Sequence, residues 1–192
     1  MTSAGSSAVT SGVEPRPGNV YLVEERRPKA SYEIFDQAVS SGFNGLVVTR
    51  DYPKKLLSEK DLGTSRIIWL TNLVGEARIN PTAIGILMGQ IRNFIETQGR
   101  TAVILDGLEY LISLNTYDRM LQFMHQLKDV VVTNECVFVV PVDTRTTSQR
   151  ELALLERCME PVVPKSESES SEDSMIHSQE DAVLRMLDVG PR

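Results

Sequence analysis

The most constraining feature of this 192-residue chain is an apolar run that ends in an acid and a glycine. Residues 101–105 read Thr-Ala-Val-Ile-Leu, and Asp106 and Gly107 follow at once. A run that is apolar at nearly every position is typical of a strand buried on both faces of a parallel sheet. Such a strand brings its last carboxylate to the sheet edge, where phosphate-transferring enzymes hold magnesium. The run therefore predicts a parallel α/β fold and makes Asp106 the first candidate for function.

Strand-like and helix-like patterns alternate along the chain at the intervals expected of βαβ units. The predicted strands are 19–24, 45–49, 66–71, 101–105 and 136–140. Helical spacing of apolar residues predicts helices over 31–39, 117–132 and 149–159, and a long one that begins at Asn80-Pro81 and ends at Gly99. The last four strands are apolar at nearly every position, so helices should cover both faces. The sequence predicts a three-layer α/β sandwich with a mostly parallel, five-stranded sheet.

The two ends of the chain differ in composition from its middle. Residues 1–17 are small and hydroxylated with two prolines and predict a disordered leader, followed by an α/β domain over 18–160. Residues 161–177 read as an acidic, serine-rich linker. A possible capping box of Ser178 and Asp181 then predicts a short amphipathic helix over 178–189. Its apolar residues are Val183, Leu184, Met186 and Leu187. This helix is either a peptide that docks on a partner or one that lies on its own domain.

Charge and hydropathy exclude several classes of protein. The formal charge is −6, and residues 161–192 carry seven acids and three bases, or −4, which leaves −2 for the rest. A nearly neutral body argues against a broad nucleic-acid-binding face, which needs clustered Lys and Arg. The chain has no apolar run of about 18 residues and no secretory signal pattern, so we expect a cytoplasmic protein without a membrane span.

Polar side chains follow all five predicted strands. They are Glu24, Glu25, Arg50, Thr71, Asp106, Glu109, Asp143 and Arg145. Ligands of open parallel sheets bind outside the carboxyl ends of the strands, so these residues form a candidate rim for a ligand or a partner. Polar turns and helix caps are the alternative explanation, since every strand must end in one.

The motifs of nucleotide chemistry are missing. Neither GxxxxGK[ST] nor GxGxxG occurs. The segment after the first strand, residues 24–31, has no glycine that would let the backbone approach a phosphate, and its two carboxylates would repel one. GxSxG, HExxH and kinase signatures are also absent. Cys136 and Cys158 lie outside any metal-binding spacing. The sequence therefore predicts a protein that is not an enzyme and has no cofactor, metal site or catalytic residue.

Several motifs occur in the order found in one known family. They are residues 21–25 (YLVEE), 45–50 (GLVVTR) with Pro53, 69–71 (WLT), 106–112 (DGLEYLI) with Asn115, and 150–157. Together they resemble the archaeal family catalogued as domain of unknown function 835, over about residues 20–159. The resemblance implies an archaeal, often regulatory or multidomain setting and no established activity. The order of elements is also similar to that of RecA/KaiC-class P-loop ATPases, in which Asp106 would be the magnesium-linked acid. Without the phosphate loop, this likeness implies a degenerate RecA/KaiC-like fold.

Three hypotheses follow. The first is a non-catalytic, ATPase-shaped regulatory or protein-interaction module whose partner is a protein, for example a related ATPase. The second is a sensing domain in which Arg50 and Arg145 hold an anionic small molecule or a nucleotide at the strand ends. The third is a divergent hydrolase that uses Asp106 and Glu109 as a metal pair, which requires a helical turn at Gly107. The intact α/β pattern with no phosphate loop favours the first.

Overall fold

The structure, a computed structural model, describes residues 12–164. The strands are β1 (Asn19–Glu24), β2 (Asn44–Thr49), β3 (Arg66–Leu70), β4 (Arg78–Ile79), β5 (Thr101–Asp106), β6 (Cys136–Val142) and β7 (Glu160–Val162). The helices are α1 (Ala30–Ser40), α2 (Pro53–Glu59), α3 (Ile84–Thr97), α4 (Leu108–Leu114), α5 (Tyr117–Thr133) and α6 (Gln149–Glu156). Residues 1–11 and 165–192 lie outside the described residues. The start of the leader, most of the linker and the short helix therefore stay predictions. The apolar residues of that helix are Val183, Leu184, Met186 and Leu187.

All strands join one sheet in the order β4-β3-β2-β5-β6-β1-β7, and every pair is parallel. The α/β class and the parallel sheet are thus confirmed, but the count of five strands was wrong. β4 and β7 add one strand at each edge, and they are only two and three residues long. Elements this short show no period in the sequence. Pro161 fits inside β7 because β7 is an edge strand that pairs with β1 alone.

Each central strand buries both faces. In β1, Val20 and Leu22 pack in one apolar core, and Tyr21 and Val23 pack in the other. The first core also holds the inward residues of α3, α4, α5 and α6, and the second holds those of α1 and α2. The sheet is therefore the middle of three layers. This explains the continuous apolar runs, because a strand covered on both faces has no polar side to alternate with.

Two predicted boundaries shift for backbone reasons. The long helix begins at Ile84 rather than at Asn80, because the Asn80 side chain accepts the backbone N–H of Thr82 at 2.9 Å and closes a turn first. Strand β6 runs through Pro141 to Val142. Pro141 pairs with Val23 of β1 and lies beyond Val139, the last residue of β6 that pairs with β5, so its missing N–H interrupts no β5–β6 ladder.

Helix α4 was not predicted. It follows β5 directly after Gly107, whose φ of 145° belongs to a region that glycine adopts and other residues rarely do. The residue therefore turns the chain sharply from strand to helix. Within residues 12–164 no helix is both long and apolar enough to cross a membrane. Since all strands are parallel, their carboxyl ends share one edge of the sheet, and this edge carries the candidate residues.

Candidate functional site

A carboxylate of the chain itself occupies the N-terminus of α1. Glu25 follows β1, and its Oε2 accepts the backbone N–H groups of Lys29 at 3.0 Å and Ala30 at 2.8 Å. Its Oε1 accepts the backbone N–H of Ser31 at 2.9 Å and also the Ser31 hydroxyl. The first N–H groups of a helix lack intrahelical partners and lie at the positive end of its dipole, which makes them an anion site. Here that anion is Glu25.

Asp106, the last residue of β5, accepts a hydrogen bond from α1. The hydroxyl of Tyr32, a buried residue in the first turn of α1, donates to Asp106 Oδ2 at 2.9 Å. Burial raises the pKa of Asp106 to about 6, and the hydrogen bond from Tyr32 offsets part of this effect. Burial and the Asp106 charge in turn raise the pKa of Tyr32 far above its usual range. Asp106 is thus a half-buried carboxylate that accepts from a buried phenol.

Lys60 contacts the Tyr32 ring of this pair. Its ammonium lies 3.9 Å from the centre of the Tyr32 ring and donates to the carbonyl of Pro28 at 3.3 Å. The ammonium also lowers the pKa of Asp106, as an opposite charge does. Tyr32 therefore lies between a cation on its ring face and a carboxylate at its hydroxyl. This arrangement fixes the start of α1 against the end of β5.

Glu109, Asp143 and Arg145 form a second group on the rim. Glu109 Oε1 accepts the backbone N–H of Asp143 at 2.8 Å, so α4 is tied to the end of β6. Asp143 accepts from the backbone N–H of Arg145 at 3.1 Å, from its Nε at 2.8 Å and from its Nη2. Arg145 holds the pKa of Asp143 at about 2. The guanidinium of Arg145 is therefore already paired with a carboxylate.

Arg50 belongs to a third group made of aromatic rings and arginines. Its guanidinium lies 4.5 Å from the centre of the Tyr110 ring, and its carbonyl accepts Nε1–H of Trp69 at 2.9 Å. Tyr52 meets the Trp69 ring edge-to-face at 5.2 Å, and the Arg78 guanidinium lies 5.5 Å from that ring. Residues 50–52 and Arg78 thus contact one indole, and Arg50 connects this group to Tyr110 of α4.

The predicted rim is therefore divided among separate local groups. Glu24 ends β1, and burial together with the charge of Glu156 raises its pKa. The hydroxyl of Thr71 accepts the backbone N–H of Leu73 at 3.2 Å, which is a turn contact. The structure brings Glu109, Asp143 and Arg145 into one group and gives Glu25, Arg50 and Asp106 different partners. No cluster of three or more His, Cys, Asp or Glu among the described residues could hold a metal ion.

Sequence reasoning missed Tyr32, Lys60, Trp69 and Tyr110. Tyr32 was placed on a predicted helix and Trp69 in a predicted strand, where aromatic residues read as core. Lys60 stands in a polar stretch that no motif marks. Only the cluster of aromatic and cationic residues within 50–78 could have pointed to the third group.

A family model described as "Protein of unknown function (DUF835)" matches residues 24–159, more than half of the chain. The chain belongs to the DUF835 family. The match confirms the likeness read from the sequence. It covers only the last residue of β1, Glu24, but it includes Glu25, Asp106 and the third group of aromatic rings and arginines. No curated protein matches this DUF835 chain.

This DUF835 chain is also similar to a solved structure from Pyrococcus horikoshii OT3. The two share 17% sequence identity with a TM-score of 0.56, over 79% of this chain and 84% of the other. At this identity the likeness shows a shared fold. It gives the DUF835 domain an archaeal structural neighbour.

Proposed function

We propose that this DUF835 chain is a non-catalytic, ATPase-shaped module that regulates or binds another protein. The observation that carries the proposal is the contact of Glu25 with the first turn of α1. Three backbone N–H groups and one hydroxyl that could hold a phosphate are used by a carboxylate of the chain. A nucleotide phosphate would have to displace this carboxylate and then approach a segment without glycine.

The layout of the sheet supports the likeness to RecA/KaiC-class ATPases. Helix α1 follows β1, as the helix after a phosphate loop does, and Asp106 ends β5, with only β6 between these two strands. In an active ATPase of this shape the acid on β5 would serve a magnesium ion. Here it accepts from Tyr32 and its pKa is about 6, so it favours protonation far more than an ordinary aspartate does. Both positions on which nucleotide chemistry depends have thus acquired partners within the chain.

A sensing role for the strand ends has weaker support. Of the two arginines predicted to hold an anion, Arg145 is already paired with Asp143. Arg50 stacks on the Tyr110 ring and forms no ion pair with a carboxylate among residues 12–164. If the rim bound an anionic small molecule, ligand-induced shifts in melting temperature should be lost in Arg50→Ala and Asp106→Ala. Shifts that survive both substitutions would exclude this site.

The proposed function is tested by isothermal titration with ATP and magnesium, together with an assay for phosphate release. We expect the full chain neither to bind ATP in the micromolar range nor to release phosphate. The matched variants are Glu25→Ala, which empties the helix N-terminus, and Glu24→Ala, which removes the neighbouring carboxylate. Weak phosphate binding that appears only in Glu25→Ala would support occupation of the anion site by Glu25. Micromolar ATP binding with turnover in the unmodified chain would overturn the proposal.

A further inference from the structure

The edge of the sheet near β3 and β4 exposes an unusual group of side chains, the Trp69 surface. It consists of Arg50, Tyr52, Trp69, Leu73, Val74 and Arg78. Val74 is 97% exposed, Leu73 59% and Tyr52 48%. Trp, Tyr and Arg are the residues enriched in binding hot spots. The exposed side chains of Leu73 and Val74 add apolar area of the kind that marks interaction sites. This surface therefore has the chemistry of an interface.

The contacts of Arg78 hold the Trp69 surface together. Its Nη1 donates to the carbonyl of Val74 at 3.0 Å, and its guanidinium lies 5.5 Å from the centre of the Trp69 ring. Arg78 thus connects the loop that carries Leu73 and Val74 to the indole. No ion pair among residues 12–164 uses Arg50 or Arg78. Both guanidiniums lie over rings and keep N–H donors for an acidic ligand. The surface thus suits a peptide that is both acidic and apolar.

The chain contains such a peptide outside the described residues. Residues 166–189 hold seven acids and one base, a net charge of −6, together with Val183, Leu184, Met186 and Leu187. We propose that this segment binds the Trp69 surface of its own domain. The proposal rests on the proposed function and deepens it, because the segment would then cover the surface by which the module binds its partner. A partner with the same chemistry would have to displace the segment.

The geometry of the sheet allows this contact. The described chain leaves β7 at the carboxyl ends of the parallel strands, and Trp69 is the next-to-last residue of β3, so it lies near the same end of the sheet. Five strand spacings separate β7 from β3, or about 24 Å at ~4.8 Å each. Residues 165–177 can span roughly 40 Å when extended, so the apolar residues that follow can reach. Tethering gives the segment a local concentration of the order of millimolar, so weak contacts suffice.

Trp69 is the only tryptophan, so its fluorescence reports on this surface directly. The test compares the full chain with the full-length double variant Val183→Asp/Leu187→Asp. We expect a red-shifted emission and an acrylamide quenching constant about twofold higher or more in the variant, because the indole loses its cover. Addition of a synthetic peptide of residues 166–192 to the variant should reverse both changes. The same peptide should act less on a triple variant that also carries Val74→Asp.

The matched control is Val132→Asp on α5, an apolar residue of similar exposure (58%) that is not part of the surface. It should leave emission and quenching as in the unmodified chain. Identical quenching in the chain and the double variant would overturn the proposal. Emission that depends on protein concentration would also overturn it, since the segment would then bind a second copy. ATP turnover is measured in the separate phosphate-release assay. A failure of the proposed function would be seen in that assay, whether or not the segment covers the indole.

Discussion

The carboxylate of Glu25, which directly follows β1, accepts the backbone N–H of Ser31 in the first turn of α1, six positions along the chain, at 2.9 Å. This contact replaces the side-chain cap that α1 lacks at Lys29, the residue before the helix. It also places a negative charge at the positive end of the helix dipole. One side chain thus stabilises the helix and occupies the anion site at its N-terminus.

The first prediction concerns this contact. Glu25→Ala should lower the free energy of unfolding by about 1–2 kcal/mol, because several N–H groups of the first turn lose their acceptor. Chemical denaturation at neutral pH measures the change. Glu24→Ala is the control and should have a smaller effect, since burial and Glu156 already disfavour the charged form of Glu24. Equal losses in the two variants would show that the carboxylate contact does not stabilise α1.

The second prediction concerns Gly107. Its φ of 145° is strained for any residue with a Cβ, although the nearest atom that a Cβ would meet is Leu70 Cδ1 at 3.5 Å, an ordinary contact. Gly107→Ala should therefore cost about 1–3 kcal/mol through backbone strain alone. The control is Gly85→Ala inside α3, where nothing lies within 4 Å. This substitution should stabilise the protein by about 0.4–1 kcal/mol, since it restricts the unfolded chain. Changes of the same sign would contradict the strain at Gly107.

The sequence predicted the middle of the fold and missed its edges for one physical reason. Strands β2, β5 and β6 are covered on both faces, and their continuous apolar runs are unambiguous. Strands β4 and β7 pair through their backbones over two or three residues, and such pairing leaves no pattern in the side chains. Asn80 likewise suited a helix cap by type, but its side chain bonds to Thr82 in a turn before the helix.

The polar residues at the strand ends were predictable from the sequence, but the side chains that they contact were not. Strand ends identified Glu25 and Asp106, because the acid that follows an apolar run must reach the sheet edge. Their partners come from elsewhere: Tyr32 lies 74 residues from Asp106 in the chain. A single sequence contains no signal for such a pair. The sequence shows that no glycine follows β1, but only the structure shows that Glu25 itself occupies the N-terminus of α1.

The third prediction concerns the pH dependence of stability. The pKa of Asp106 lies near 6 in the folded protein, above the 3.8 of an unperturbed aspartate, which stands for the unfolded chain. The folded state therefore binds more protons between these values, and the contribution of Asp106 to stability is greatest below pH 4 and is lost as the pH rises through 6. A difference of this size corresponds to at most about 3 kcal/mol, and less where solvent reaches the carboxylate.

Asp106→Asn removes the charge and keeps an oxygen that can accept from Tyr32. We expect the variant to gain melting temperature relative to the unmodified chain at pH 8 and to lose most of this gain at pH 4. Asp129→Asn, which removes an exposed carboxylate on α5, serves as the matched control. Tyr32→Phe tests the connection from the other side. Since the phenol stabilises the carboxylate, its loss should raise the pKa of Asp106 further and move the loss of stability to higher pH. A gain for Asp106→Asn that is equal at pH 4 and pH 8 would show that the carboxylate is not held in a protonation-sensitive contact.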